Sequence, residues 1–155
     1  MYRMILADDE PNLVEGLYDL FSGTLPADTE IFKAYSAADV CSLLTRVSAD
    51  LILSDIRMPG ISGLDMLSRV EALCPHCRVM FLTGYDTFSW AQEALRHPCC
   101  VDYLLKTQGD DAILAAVERQ FRLIEAENNP ALLLSRVSAQ MEALRPMVSE
   151  QAVSR

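Results

Sequence analysis

Five polar residues each stand at the end of an apolar segment, and together their side chains could carry out phosphoryl chemistry. These residues are Asp8, Asp9, Asp55, Thr83 and Lys106. If the apolar segments are parallel strands of an open sheet, their carboxyl ends meet at one edge, where ligands bind in such sheets. Three carboxylates brought together in a partly desolvated cleft repel one another. A divalent cation relieves this repulsion, and oxygen ligands that leave room for water and a phosphoryl oxygen favour Mg²⁺.

Asp55 is the strongest candidate for a nucleophile. With Mg²⁺ bound nearby, a carboxylate can attack phosphorus and form an aspartyl phosphate. Asp55 stands alone after the most continuously apolar segment, whereas Asp8 and Asp9 are adjacent and suit metal binding. Lys106 would neutralise charge on the transferring group, and the hydroxyl of Thr83 would donate a hydrogen bond to a phosphoryl oxygen.

The elements that must position these residues follow from the hydrophobic pattern. Apolar runs predict strands at residues 2–7, 29–34, 50–54, 78–82 and 101–105. Apolar residues at spacings of three and four predict helices at about residues 11–22, 37–47, 64–73, 87–96 and 110–127. Strict alternation of strand and helix predicts a doubly wound α/β sheet, with the segment at 50–54 buried on both faces.

We expect a single domain over residues 1–127 and a helical extension or linker over residues 128–155. The extension has apolar residues at helical spacing, which are Leu133, Val137, Met141, Leu144 and Val148. Such a helix is too short to enclose a core, so it needs a partner surface. Packing against its own domain and pairing with the same helix of another chain are both open.

Composition excludes several classes of function. The chain has 155 residues, of which 51% are hydrophobic and 23% charged, so it can bury a core. Its net charge of −9 leaves no basic face for nucleic acid. No apolar run is long enough to span a bilayer, and the N-terminus leads directly into a strand rather than a signal peptide, so we expect a cytoplasmic protein with no membrane contact. Five scattered cysteines fit reduced thiols better than a disulfide framework.

Four motifs in order resemble the receiver domain of bacterial two-component response regulators. They are Asp8-Asp9-Glu10-Pro11, the segment 55–63 that begins Asp55-Ile56-Arg57-Met58-Pro59, Thr83-Gly84-Tyr85, and Asp102-Tyr103-Leu104-Leu105-Lys106. The resemblance covers residues 2 to about 126. It implies a flavodoxin-like, five-stranded parallel sheet in the order 2-1-3-4-5. The segment 55–59 together with Thr83-Gly84-Tyr85-Asp86 and Phe88 is most similar to receivers fused to AraC-type helix-turn-helix domains.

The resemblance also implies roles for individual residues. Asp55 would accept a phosphoryl group from the phosphohistidine of a sensor histidine kinase. Asp9, Asp55 and the backbone carbonyl of Arg57 would bind Mg²⁺, with Asp8 assisting partly through water. Thr83 and Tyr103 would form a switch pair that alters the face made by the fourth helix, the fifth strand and the fifth helix.

By the same resemblance, this chain is a switch in transcription regulation rather than an enzyme. Any contact with DNA would belong to an output domain outside the chain. We expect phosphorylation to favour a homodimer.

Two features depart from the family pattern. Thr107 follows Lys106 where the family usually has proline, so we expect a trans peptide bond and a different loop path, and the placement of Lys106 stays open. The segment 96–100, Arg96-His97-Pro98-Cys99-Cys100, replaces the usual connection that contains glycine and is one residue longer.

Two other classes of function remain as alternatives. A haloacid-dehalogenase-like, Mg²⁺-dependent phosphatase also uses an aspartate nucleophile, but its nucleophile begins an Asp-x-Asp pattern after the first strand, whereas Asp8 and Asp9 are contiguous. A receiver-like interaction module that is never phosphorylated would retain the fold alone.

One further motif has the spacing of a redox dithiol. It is Cys74-Pro75-His76-Cys77, and with His97, Cys99 and Cys100 it also offers soft metal ligands. Redox pairs usually stand at a helix N-terminus after a first strand, and no second paired motif completes a zinc site. The sequence therefore favours incidental thiols.

Overall fold

The computed structural model describes residues 2–58, 60–84 and 88–128. The strands in these residues are β1 (Arg3–Ala7), β2 (Glu30–Ala34), β3 (Leu51–Ser54), β4 (Arg78–Thr83) and β5 (Cys100–Leu105). The helices are α1 (Pro11–Ser22), α2 (Ala37–Leu44), α3 (Gly63–Leu73), α4 (Phe88–Ala94) and α5 (Asp110–Asn128), and a 3₁₀ turn covers Lys106–Gln108. The predicted alternation of strand and helix is confirmed.

The five strands form one parallel sheet in the order β2-β1-β3-β4-β5. This confirms the doubly wound, flavodoxin-like architecture. All four residues of the central strand β3 are buried, as its uninterrupted apolar run predicts. Ile5, Ile52 and Phe81 lie in one buried cluster with Val40 of α2 and Met66 of α3. The sheet is therefore anchored by packing around β1, β3 and β4, whose carboxyl ends adjoin.

Local capping determines where three of the helices begin. Proline is the first residue of α1, where its missing N–H costs no hydrogen bond. The side chain of Ser36 accepts a hydrogen bond from the backbone N–H of Asp39 at 3.1 Å, and Ser62 accepts one from Asp65 at 3.1 Å. These serines satisfy N–H groups that have no partner within the helix.

Helix α2 ends at Leu44, three residues before the predicted end at Val47, so that boundary is wrong. The N–H of Thr45 bonds to the carbonyl of Ser42, which tightens the last turn. The hydroxyl of Thr45 also donates to the Ser42 carbonyl at 2.6 Å. The apolar spacing continues beyond this point, and the N–H of Val47 still bonds to the carbonyl of Leu43 at 2.9 Å, but the continuous helix ends at Leu44.

The longer connection before β5 is accommodated by a bulge. Val79 pairs with Cys100, whereas Met80 pairs with Asp102, so Val101 is an extra residue in β5. A bulge of this kind absorbs one residue and leaves the rest of the strand in register. The carboxyl end of β5 consequently stays aligned with that of β4.

The chain divides into two compact units, Met1–Glu118 and Arg119–Arg155, and α5 contains residues of both. The apolar stripe predicted between residues 133 and 148 lies outside the described residues, as do Pro59, Tyr85 and Asp86. None of the helices in the described part of the chain is both long enough and apolar enough to cross a bilayer.

Candidate functional site

Polar residues lie at the carboxyl ends of four neighbouring strands. Asp8 follows β1, Asp55 follows β3, Thr83 ends β4 and Lys106 follows β5. Because the strands are parallel and adjacent, these residues share one edge of the sheet. The convergence predicted from the sequence is therefore present in the structure.

The ammonium group of Lys106 bridges two carboxylates. Its Nζ lies 2.9 Å from Oδ2 of Asp8 and 3.2 Å from Oδ2 of Asp55. The side chains of Asp8 and Asp55 are only 3% and 6% exposed, so both bonds lie in a largely desolvated setting. Charge-assisted hydrogen bonds are stronger in such a setting than on an open surface.

Backbone hydrogen bonds orient the same two carboxylates. The N–H of Glu10 donates to Oδ1 of Asp8 at 2.9 Å, and the N–H of Arg57 donates to Oδ1 of Asp55 at 3.2 Å. The N–H of Asp55 also donates to the carbonyl of Ala7 at 2.9 Å, which ties the end of β3 to the end of β1. Each carboxylate is thus held through both of its oxygens.

Burial and charge alter the protonation of this cluster in opposite ways. Burial raises the pKa of Asp8 above its usual value, although the bonds from Glu10 and Lys106 act against the rise. Burial lowers the pKa of Lys106, but its bonds and proximity to Asp8 and Asp55 outweigh that effect, so the pKa is raised. Lys106 is consequently held in its charged form as the local counter-charge for the carboxylates.

Asp8, Asp9 and Asp55 can share a metal ion. Each offers a carboxylate oxygen, and these oxygens lie within 4.8 Å of one another. An octahedral Mg²⁺ with oxygen ligands at about 2.0–2.1 Å holds those ligands roughly 3–4 Å apart, so only a small approach is required. Asp9 is exposed whereas Asp8 is buried, which leaves one side of the cluster open to water and a substrate. The residues present therefore fit a magnesium ion.

The carboxylates open into a pocket of about 960 Å³. Besides Asp9, Asp55 and Lys106, its lining includes Arg57 and Trp90. The guanidinium of Arg57 stacks over the Trp90 ring at 5.4 Å from the ring centre, which joins the loop after β3 to α4. The sequence interpretation missed Trp90 as a pocket residue. Its signal was available, because it is the only tryptophan in the chain and lies shortly after Thr83.

Thr83 and Tyr103 occupy adjacent strands near the site. Thr83 is fully buried at the end of β4. Tyr103 pairs with Phe81 across β4 and β5, and their rings meet edge to face at 6.2 Å between centres. The hydroxyl oxygen of Tyr103 is buried. The structure thus places the ring of Tyr103 against the core, on the strand next to the one that ends at Thr83.

Threonine follows Lys106 in this chain, and the lysine contacts the carboxylate cluster. There is no cis peptide bond among the described residues, so the Lys106–Thr107 bond is trans as expected. Lys106 begins the 3₁₀ turn, and Leu105 remains paired with Thr83 across the sheet. Lys106 therefore reaches the carboxylates of Asp8 and Asp55 with a trans bond after it.

The chain belongs to the response regulator receiver domain family, whose profile matches residues 4–118. In this family an aspartate generally accepts a phosphoryl group, Mg²⁺ generally binds at an acidic pocket, and a histidine kinase is implied as partner. Receiver domains of response regulators that control transcription are generally not classical enzymes.

Relatives of known sequence are longer than this chain. The transcriptional regulatory protein HptR of Staphylococcus aureus is 31% identical over 106 residues, which are 68% of this chain and 41% of the relative. The uncharacterised transcriptional regulatory protein YesN of Bacillus subtilis is 22% identical over 151 residues, or 97% of this chain and 41% of the relative. The chain thus spans less than half the length of these two relatives.

Solved structures share the fold. A receiver domain protein of Clostridium thermocellum superposes with a TM-score of 0.70 at 23% identity, covering 81% of this chain and 98% of that one. A CheY-like receiver domain protein of Methanospirillum hungatei gives a TM-score of 0.74 at 19% identity, covering 82% and 98%. At these identities the likeness concerns the fold.

Proposed function

We propose that Asp55 is the residue of this receiver that accepts the phosphoryl group. The observation that carries this proposal is the Lys106 bridge, which joins Asp55 and Asp8 in a nearly buried cluster at the mouth of a pocket. Among the described residues, Asp9 and Asp55 line that pocket, whereas Asp8 does not. Asp55 therefore combines access for a phosphoryl donor with a cation already in contact.

Mg²⁺ is the proposed cofactor, held by Asp9, Asp55 and the backbone carbonyl of Arg57, with Asp8 assisting partly through water. The mutual proximity of the three carboxylates supports this set. When bound, the ion would neutralise charge on the transferring phosphoryl group. The site also contains Lys106, a protein cation that can serve the same purpose from the β5 side.

The proposed reaction is transfer from the phosphohistidine of a sensor histidine kinase. A carboxylate oxygen of Asp55 forms the new bond to phosphorus as the phosphorus–nitrogen bond breaks, and the imidazole leaves with the bonding electrons. Lys106 lies beside the attacking carboxylate and can move its contact to a phosphoryl oxygen. Arg57 and Trp90, which stack on each other, line the pocket through which a phosphoryl donor would approach.

Thr83 and Tyr103 are proposed as the switch pair. Once phosphorylated, Asp55 carries additional negative charge and new acceptor oxygens, to which the Thr83 hydroxyl can donate. The ring of Tyr103 lies on the adjacent strand against Phe81, so a shift at the end of β4 would reach the surface formed by α4 and β5. Phosphorylation is proposed to favour a homodimer through that surface.

This chain is proposed to act in the cytoplasm as a switch in transcription regulation. It would not act as an enzyme. Residues 1–127 would form the receiver and residues 128–155 a helical extension or linker. A further segment, of AraC type, would contact DNA. The greater length of the relatives named as transcriptional regulatory proteins supports this division, and the net charge of −9 argues against DNA binding by this chain itself.

Incubation with acetyl phosphate and Mg²⁺ followed by intact-mass spectrometry tests the assignment. The wild-type protein is expected to gain one phosphoryl group, and Asp55→Asn none. Asp39→Asn is a matched control, since Asp39 accepts a hydrogen bond from the N–H of Tyr35 and is not one of the three carboxylates that can share a metal ion. Modification that persists in Asp55→Asn would contradict the proposal. Hydrolysis of an added phosphomonoester that depends on Asp9 but not on Asp55 would instead indicate a phosphatase.

A further inference from the structure

A tight turn joins α3 to β4 and carries two cysteines. Cys74 caps the end of α3, and Cys77 directly precedes β4. The N–H of Cys77 donates to the carbonyl of Cys74 at 3.0 Å, which closes a four-residue β-turn with Pro75 at its second position. Proline at that position restrains the turn, so the two thiols are held on a stiff backbone.

This turn satisfies the geometric requirement for a disulfide. The first and last Cα atoms of a β-turn are less than about 7 Å apart. Disulfides usually join Cα atoms separated by about 4.4–6.8 Å. The sulfur of Cys74 lies 3.5 Å from the carbonyl of Ala49 and that of Cys77 lies 3.6 Å from the carbonyl of Arg78, while the Cys77 thiol also lowers the pKa of Cys74. A disulfide between Cys74 and Cys77 would therefore close across a turn that already holds the two residues together.

The surroundings of Cys74 favour its reactive form. Its Sγ lies 3.7 Å from Oγ of Ser48 and 3.7 Å from Nε2 of His76. The hydrogen bond from Cys77 is the main cause that lowers the pKa of Cys74 to about 5, and Ser48 and His76 act in the same direction. Ser48 and His76 are themselves exposed, so the buried thiols lie directly beneath the surface.

A metal site fits these residues less well. In the part of the chain that the structure describes, no set of three histidine, cysteine or acidic ligand atoms that includes both sulfurs lies within 4.8 Å of one another. His97 pairs instead with Glu71 at 3.5 Å, and Cys99 contacts the carbonyl of Leu67. The remaining soft ligands suggested by the sequence are thus engaged elsewhere.

We propose that Cys74 and Cys77 form a redox-active dithiol that a peroxide oxidises to a reversible disulfide. The thiolate of Cys74 attacks one peroxide oxygen, the oxygen–oxygen bond breaks, and a sulfenic acid forms with release of water or an alcohol. The sulfur of Cys77 then attacks the sulfenic sulfur, so that a sulfur–sulfur bond replaces the sulfur–oxygen bond and a second water leaves. The two thiols together lose two electrons and two protons, and the peroxide is reduced.

This modification site is separate from the acidic pocket. Cys77 precedes the first residue of β4, whereas Thr83 is its last residue, so the two sites adjoin opposite ends of the same strand. Oxidation would close a ring around the turn that connects α3 and β4. The site thus provides a chemical input that does not use the phosphoryl-acceptor residues.

Peptide mass spectrometry of the whole protein tests this proposal. The reduced protein is treated with hydrogen peroxide at about pH 6, quenched in acid, alkylated after unfolding and digested with trypsin. Cleavage after Lys and Arg places the pair in residues 70–78, Cys41 in 34–46, and Cys99 with Cys100 in 97–106. We expect peptide 70–78 to lose two hydrogen atoms together with both alkylation sites, and dithiothreitol to restore them.

Cys41 serves as the internal reference, because burial raises the pKa of its thiol. Oxidation of 70–78 is expected to be at least about tenfold faster than that of Cys41 at this pH, since a larger thiolate fraction outweighs the lower nucleophilicity of a more acidic thiol. In Cys77→Ser, Cys74 should react more slowly, because the thiol that lowers its pKa is gone, and should stop at a sulfenic acid that dimedone traps. In Cys99→Ser, peptide 70–78 should be oxidised as it is in the wild type.

Two results would overturn the proposal. One is a wild-type peptide 70–78 that stays fully alkylated while Cys41 is oxidised. The other is a wild-type peptide 70–78 whose lost alkylation sites dithiothreitol does not restore. Should the serine variants fail to fold, the wild-type comparison between peptides 70–78 and 34–46 decides the question alone.

Discussion

Replacement of Lys106 by methionine removes the cation that bridges the carboxylate cluster and keeps most of the apolar length of the side chain. In the absence of Mg²⁺, Asp8 and Asp55 then face each other with no opposite charge between them. We expect the variant to be less stable than the wild type, and we expect Mg²⁺ to restore more stability to the variant than to the wild type. The reason is that Lys106 and the ion compete for the same carboxylate oxygens.

The magnitude follows from the burial of the partners. Removal of one member of a buried ion pair costs about 3–5 kcal/mol. Here the carboxylates are nearly buried, but the Lys106 side chain is 23% exposed, which reduces the effect. Burial also raises the pKa of Asp8, so this carboxylate can take up a proton and relieve the repulsion. We therefore expect a loss of about 2 kcal/mol near neutral pH. Mg²⁺ at a hundred times its dissociation constant from the variant would raise the free energy of unfolding of Lys106→Met by about 2.7 kcal/mol.

Urea unfolding with and without Mg²⁺ measures both effects. Lys33→Met is the matched control, because Lys33 pairs with Glu15 at 2.7 Å on the protein surface, where ion pairs contribute little. The control should lose less stability than Lys106→Met and should respond to Mg²⁺ as the wild type does. Equal stabilisation by Mg²⁺ in the wild type and in Lys106→Met would refute the competition between lysine and metal.

Two further predictions concern the packing and the protonation of the site. Gly63→Ala would place a Cβ 2.8 Å from the Cα of Ile56 and 2.9 Å from Phe81, so we expect a loss of about 1–3 kcal/mol in urea unfolding; Gly16→Ala, with nothing within 4 Å, should not destabilise. Without Mg²⁺, the raised pKa of Asp8 means that its carboxylate takes up a proton at a higher pH in the folded protein than in the unfolded chain. The wild type should therefore gain stability relative to Asp8→Asn as the pH falls from neutral through that pKa, and parallel pH profiles of unfolding would contradict this.

Local sequence patterns predicted most of the fold because they report local physics. The proline that begins α1 and the serines that cap α2 and α3 act within one helical turn. The continuous apolar run of β3 reports burial on both faces, and the strict alternation of strand and helix leaves few topologies for a parallel sheet. Boundaries such as the end of α2 were less predictable, because a tightened turn at Thr45 ended the helix while the apolar spacing continued.

The composition of the candidate site was also predictable in large part. Each of Asp8, Asp55, Thr83 and Lys106 ends or follows an apolar strand, and parallel strands bring such ends to one edge. The stack of Arg57 on Trp90 was not predictable from strand ends, since Trp90 lies on α4 and meets the loop only after α4 has packed.

The sequence by itself therefore determined which residue types stand at the strand ends and that the strands are parallel and buried. Only the tertiary structure decided that Asp8 is buried while its neighbour Asp9 is exposed, and that Lys106 reaches carboxylates 98 and 51 residues away. It also decided that a bulge at Val101 keeps β5 aligned with β4. The physical reason is that distances between side chains distant in sequence depend on strand register and helix packing, which no single segment encodes.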